Sequence, residues 1–193
     1  MTEQTIKSRP AYRRIERDRT GRRHILLADR PEAMTEGLSP LASPTDFDER
    51  WIIVSHSLAI PSAVEGSADH QFRSEQHMLR ALRRCLSEAR MGLRLYVVGA
   101  ERFLWSVNAI AQDQGMGREE LRLCASPLGP RRVFCNHCRT INEGVTANIV
   151  TCAGCRAPLL VRDHFSRRLN AFAGVQVDAE VPGEVPEIEE LRP

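Results

Sequence analysis

The sequence predicts an α/β protein, a small parallel sheet with packed helices, followed by a zinc ribbon. Two observations carry this. Between Trp51 and Cys124, short apolar runs alternate with segments of helical period, the pattern of a parallel sheet joined by crossover helices. Just beyond, four of the six cysteines fall within twenty-one residues as two C-x-x-C pairs. A chain of 193 residues has room for one ordinary domain or two small ones.

Residues 1–46 hold Pro10, Pro31, Pro40 and Pro44 among arginine clusters. His24 to Ala28 suits one short strand, but no period is sustained, so the stretch is expected to be a flexible basic arm. Trp51-Ile52-Ile53-Val54 is a compact apolar run of strand type. After a polar loop, Met78, Leu79, Leu82, Cys85, Leu86 and Ala89 recur at three and four residues, so Ser74 to Met91 reads as a helix. Ser74 or Glu75 suits its start and Gly92 its end. Leu93 to Val98 suits a buried parallel strand. A second helix follows from Glu101 to Gln114, closed by Gly115 and Gly117, and Leu121 to Cys124 makes another strand. These elements place an α/β domain over 47–127.

Ser126-Pro127-Leu128-Gly129-Pro130 breaks the pattern, and a ribbon domain is expected over 131–177. Cys135, Cys138, Cys152 and Cys155 are its metal-ligand candidates. A C-x-x-C turn brings two sulfurs to one side of a tight loop, and two such loops make a tetrahedron of thiolates. Zinc accepts this set without geometric strain, with iron as the alternative. A closed four-thiolate site leaves no position for water, so the metal is expected to be structural. Gly154 is read as the residue that lets the second knuckle turn. Asn142-Glu143-Gly144 is read as a hairpin turn between the knuckles. Arg162 to Leu169 suits one helical turn, with Phe172 to Val177 after it. His137 sits inside a knuckle and His164 beside Asp163. Both are read as solvated or supporting side chains, since four sulfurs suffice and a lone His–Asp neighbourhood is usually a surface pair.

Charge is uneven along the chain. Residues 1–30 carry nine basic and four acidic side chains, whereas 178–193 carry six acids against Arg192. The latter is expected to be an acidic tail. The longest uncharged stretch, Trp51 to Val64, is too short and polar to span a bilayer. No secretory signal is read at the start. Clustered rather than scattered cysteines fit a reducing compartment, so the cytoplasm is expected.

Leu95-Tyr96-Val97-Val98-Gly99-Ala100 and the following Phe103, Leu104 and Val107 resemble the last strand–helix–strand of ferredoxin-reductase-type nicotinamide modules. Val98 and Ala100 stand where that family has Cys and Pro around the glycine. The resemblance therefore implies the scaffold in degenerate form. Val133 to Cys138, Glu143 to Thr146, Cys152 to Cys155, Leu159 to Arg168 and Gly174 to Glu180 resemble the DmmA-type small subunit of bacterial dimethylamine monooxygenase, and the likeness extends over most of 93–185. It implies a complex that oxidises dimethylamine to methylamine and formaldehyde with NADPH and O2. It also implies reductase-like and haem oxygenase partner subunits that hold the flavin, iron–sulfur cluster, haem and NADPH.

The residues themselves offer no complete catalytic constellation, no phosphate-binding loop and no membrane segment. The expected role is a non-catalytic subunit, for assembly or electron-transfer coupling, of a hetero-oligomer. A second reading is a nucleic-acid-binding zinc ribbon, favoured by Arg13-Arg14, Arg22-Arg23, Arg131-Arg132 and Arg167-Arg168. The acidic tail and 5% aromatic content oppose it.

Overall fold

A computed structural model describes residues 12–54, 68–125, 130–181 and 183–191. The break at 126–129 and most of the polar loop, 55–67, lie outside them. The chain divides into two compact units.

The first unit contains β1 (Arg23–Ala28), α1 (Ala33–Glu36), β2 (Glu49–Ile53), β3 (Ala68–Phe72), α2 (Glu75–Ser87), β4 (Leu93–Gly99), α3 (Glu101–Asp113) and β5 (Leu121–Ala125). Its five strands are all parallel, in the order β3-β2-β1-β4-β5. Side chains alternate between two apolar layers, because successive residues of a strand point to opposite faces. Ile25, Leu27, Trp51, Leu95 and Val97 pack with Met78, Leu82, Phe103, Leu104 and Val107 of α2 and α3. Leu26, Ala28, Ile52, Tyr96 and Val98 pack on the other face with Ile15, Met34, Leu38 and Phe47. Both faces are covered, which explains the unbroken apolar runs of β1 and β4.

The expected arm is corrected for residues 12–46. The unit begins at Tyr12, and β1 lies between β2 and β4 at the sheet's centre. Residues 1–11 lie outside the described chain. Polar contacts hold the segment before β1. Tyr96 Oη accepts the Asp18 N–H at 2.8 Å and lies 2.9 Å from His24 Nδ1. Asp18 also accepts from the Thr20 N–H and hydroxyl and from Arg94 Nε. The Thr20 hydroxyl and N–H, then Arg94, hold the Asp18 carboxyl far below its usual range. A depressed carboxylate stabilises the fold above its unfolded-state value and loses that contribution as pH falls towards its folded value. Asp18→Asn is therefore expected to destabilise the protein by a constant amount from pH 5 to 8. The difference should shrink below about pH 4, as read by urea melts across pH.

Edge strand β3 (Ala-Asp-His-Gln-Phe) was read as part of the polar loop. It is held across the sheet: Arg50, buried in β2, grips Asp69 with two guanidinium nitrogens. Trp51 packs against His70 and Phe72 at ring-centroid distances of 5.4 and 5.3 Å. The first long helix starts as expected, with Ser74 Oγ accepting the His77 N–H. It stops at Ser87, and Gly92 (φ +100°) serves the turn into β4 instead of the helix end.

The second unit contains β6 (Arg131–Cys135), β7 (Ile141–Val145), β8 (Ile149–Thr151), β9 (Pro158–Ser166) and β10 (Ala171–Gln176), in the order β7-β6-β10-β9-β8. Two expectations are corrected here. Asn142-Glu143-Gly144 lies inside β7, and β7 and β8 stand at opposite edges of the sheet. Arg162 to Ser166 extends β9 where a helical turn was expected. Phe165 of β9 packs edge-on against Phe172 of β10 at 5.0 Å, contact that a helical turn would forfeit. Part of the acidic tail also has structure. The Leu191 N–H donates to Thr146 O at 2.8 Å. Asn148 donates to Glu189 O and Glu187 O and accepts the Glu189 N–H. Among the described residues no helix is long and apolar enough to cross a membrane.

Candidate metal centre

Each C-x-x-C pair forms the turn of a β-hairpin. Residues 136–140 connect β6 to β7, and residues 152–157 connect β8 to β9. The two turns are built alike. Cys135 N–H donates to Thr140 O and Arg139 N–H to Cys135 O, both at 2.9 Å. Cys152 N–H donates to Ala157 O at 2.9 Å and Arg156 N–H to Cys152 O at 3.0 Å. Strand β10 lies between the hairpins, pairing with β6 on one side and β9 on the other, and so brings their turns together.

The four predicted cysteines meet. Their Sγ atoms all lie within 4.8 Å of one another, with Cys135–Cys155 at 3.8 Å and Cys138–Cys152 at 3.5 Å. A tetrahedron with metal–sulfur bonds of about 2.3 Å has edges of about 3.8 Å, so the residues present fit one divalent ion. Hydrogen bonding prepares the sulfurs. Contacts from the Thr140 side chain and N–H bring the Cys138 thiol down to about 6. Cys152 is lowered despite its desolvation, through the N–H groups of Cys155 and Gly154. The Ala157 N–H favours the Cys155 thiolate, but desolvation and the three neighbouring cysteines push that thiol up to about 11. Crowded thiols resist joint ionisation without a cation, and a metal ion removes that opposition.

Two further residues build the site. Asn142, buried in β7, donates from Nδ2 to Val133 O and accepts the Ala153 N–H at 2.8 Å. It thereby ties the first hairpin to the second knuckle, and its Nδ2 lies 3.8 Å from Cys152 Sγ. The turn expected at Asn142-Glu143-Gly144 conceals this role. A polar residue flanked by Ile141 at the exit of a knuckle was the available signal. Thr140, two residues after Cys138, was also missed. His137 is exposed at the knuckle tip and His164 exposed on β9; neither belongs to the cysteine cluster.

Gly154 serves a different purpose from the one expected. Its φ is not positive. A Cβ there would overlap Thr140 Oγ1 and lie 3.0 Å from Cys138 Sγ. The glycine lets the knuckles close on each other. Gly154→Ala is expected to weaken metal retention about tenfold or more by displacing Thr140, read by competition with a chromophoric chelator.

The first unit has its own conventional ligand seat. Strand order reverses between β1 and β4, and in open α/β sheets ligands bind outside the carboxyl ends of strands at such a point. Asp29 follows β1 there, and its Oδ2 accepts the N–H of Ala100, the residue before α3, at 2.7 Å. A Cβ on Gly99 (φ +142°) would overlap the Asp29 carboxyl. Burial raises the Asp29 carboxyl, while the Ala100 N–H and Arg30 oppose the rise. The helix N-terminus where a phosphate would bind is thus served by the chain's own carboxylate.

Fold and site together define a two-unit protein: a doubly wound α/β unit and a separate ribbon with a four-cysteine cluster suited to a metal ion. Residues 4–121 match the family described as "Dimethylamine monooxygenase subunit DmmA-like, N-terminal domain", and residues 132–175 match its C-terminal domain. The chain belongs to this DmmA-like family. It is 41% identical over 111 residues to the "Heme-dependent oxidative N-demethylase delta subunit" of Ectopseudomonas mendocina (strain ymp), a match covering 58% of this chain and 63% of that relative. The matched region is therefore under two thirds of the relative's length. No solved structure matches.

Proposed function

We propose that this chain is a non-catalytic subunit of an N-demethylating oxygenase complex that oxidises dimethylamine to methylamine and formaldehyde with NADPH and O2 in the cytoplasm. The observation that carries the reading is the match of both units to the DmmA-like family, with the delta-subunit relative beside it. The partners, a reductase and an oxygenase, hold the flavin, iron–sulfur cluster and haem. This chain contributes assembly or electron-transfer coupling. Cys135, Cys138, Cys152 and Cys155 hold one structural zinc ion, which locks the two hairpin turns together. Asn142 and Thr140 orient the sulfurs. Asp29 occupies the helix N-terminus that a dinucleotide phosphate would need, by accepting the Ala100 N–H, which supports a role without nucleotide turnover.

Purification of the tagged chain from its native host under mild salt tests this. Co-elution with haem- and flavin-bearing partners of an amine-oxidising complex, and about one zinc per chain, is expected. A colourless chain eluting alone, or an isolated chain that binds NADPH, would overturn it.

A further inference from the structure

We propose that the knuckle face of the ribbon docks an acidic patch of a partner subunit, with Arg139 and Arg156 as the anchoring residues. This rests on the reading of the chain as a complex subunit. The two arginines occupy equivalent places, each directly after the second cysteine of its knuckle. Both have φ +65°. That left-handed conformation is uncommon for residues other than glycine, because it crowds Cβ against the backbone carbonyl. At the other left-handed positions among the described residues the chain uses Gly92, Gly99, Gly115, Gly144, Gly183 and Asn170, types that adopt it with little strain. Only the knuckles place arginine there, and both do.

The ribbon's folding does not call for these side chains. Both are exposed. Neither forms an ion pair among the described residues, whereas Arg131 and Arg132 of the same unit pair with Asp163 and Glu143. Glycine would supply the same turn without the strain, and strained backbone that the fold does not need points to function. Their charge also has a use. Four thiolates around a divalent ion leave two net negative charges, which would repel an acidic surface. The two exposed guanidinium groups on the knuckle turns carry the opposite charge and offer planar donors for carboxylates. Asn136 and His137, both exposed at the first tip, extend the face with further polar groups.

The test compares the tagged wild-type chain with R139G/R156G and R139E/R156E, each purified from the native host. The haem-bearing partner retained is measured by Soret absorbance and mass at rising salt. Expected is a glycine variant with full metal content, a melting midpoint no lower than wild type, and about tenfold less partner retained. The glutamate variant should retain none. Equal retention by wild type and both variants would overturn the docking face while leaving the subunit reading intact. So would loss of metal in the glycine variant, which would assign the arginines to the cluster. Nuclease-sensitive nucleic acid, co-eluting with wild type and lost in the variants, would overturn it in favour of phosphate recognition. A wild-type chain eluting alone would overturn both the face and the subunit reading.

Discussion

Cys135→Ser is expected to release the metal and unfold the ribbon, while the α/β unit stays folded. Cys135 Sγ is fully buried, and the apolar cluster around it is small. It comprises Cys135, Cys152 and Leu159, with Cys138, Val150, Cys155 and Ala157 packed against them. The ribbon's larger buried side chains, Val133, Val161, Phe165 and Phe172, lie outside that cluster, so the two hairpin turns have little apolar packing of their own to hold them together. Structural zinc sites supply about 10–16 kcal/mol of binding free energy near neutral pH, and that is folding free energy when the site does not pre-exist. Removing one thiolate, or adding a strong chelator, should therefore melt β6 to β10 together. Metal content and hydrogen exchange in full-length protein check this. Protected amides in β6 and β9 of a metal-free variant would sink the structural role. Continued protection of β1 and β4 is expected throughout, because their apolar layers are their own.

Leu26→Ala is the second large effect. Leu26 has no exposed surface and packs with Ile52, Tyr96, Phe47 and Met34. Truncating such a side chain costs about 2–5 kcal/mol, through lost burial and the cavity left behind. Were residues 1–46 an arm, the change would stay within about 0.5 kcal/mol, as for exposed positions. Urea unfolding followed by far-UV circular dichroism separates the two. The experiment tests the largest correction that the structure makes.

That correction has a physical cause. His-Ile-Leu-Leu-Ala is a short apolar run among arginines and prolines, and nothing local tells a lone strand from a passing apolar patch. Its place at the centre of the sheet comes from partners about 25 and 70 residues away. Its polar anchoring, His24 and Asp18 on Tyr96, is equally non-local. Strand β3 was missed for the converse reason. Its residues are polar, and only the Arg50–Asp69 pairing across the sheet shows why they belong there.

The helices α2 and α3 and strands β4 and β5 were legible because their signals are local: a 3.6-residue apolar period, a serine cap, a glycine after the helix. The four cysteines were legible because a C-x-x-C turn is itself a local device. Such local signals suffice for the α/β class, the parallel run from β4 to β5, and the set of four sulfurs that converge. Long-range pairing places β1 at the sheet's centre, closes each knuckle into a hairpin, and joins the two hairpins through β10. It also brings Asn142 and Thr140 to the cysteines and Gly154 against Thr140. These depend on which distant segments share a sheet or touch across a turn, and long-range register is set by the packing of whole faces and not by any window of neighbouring residues.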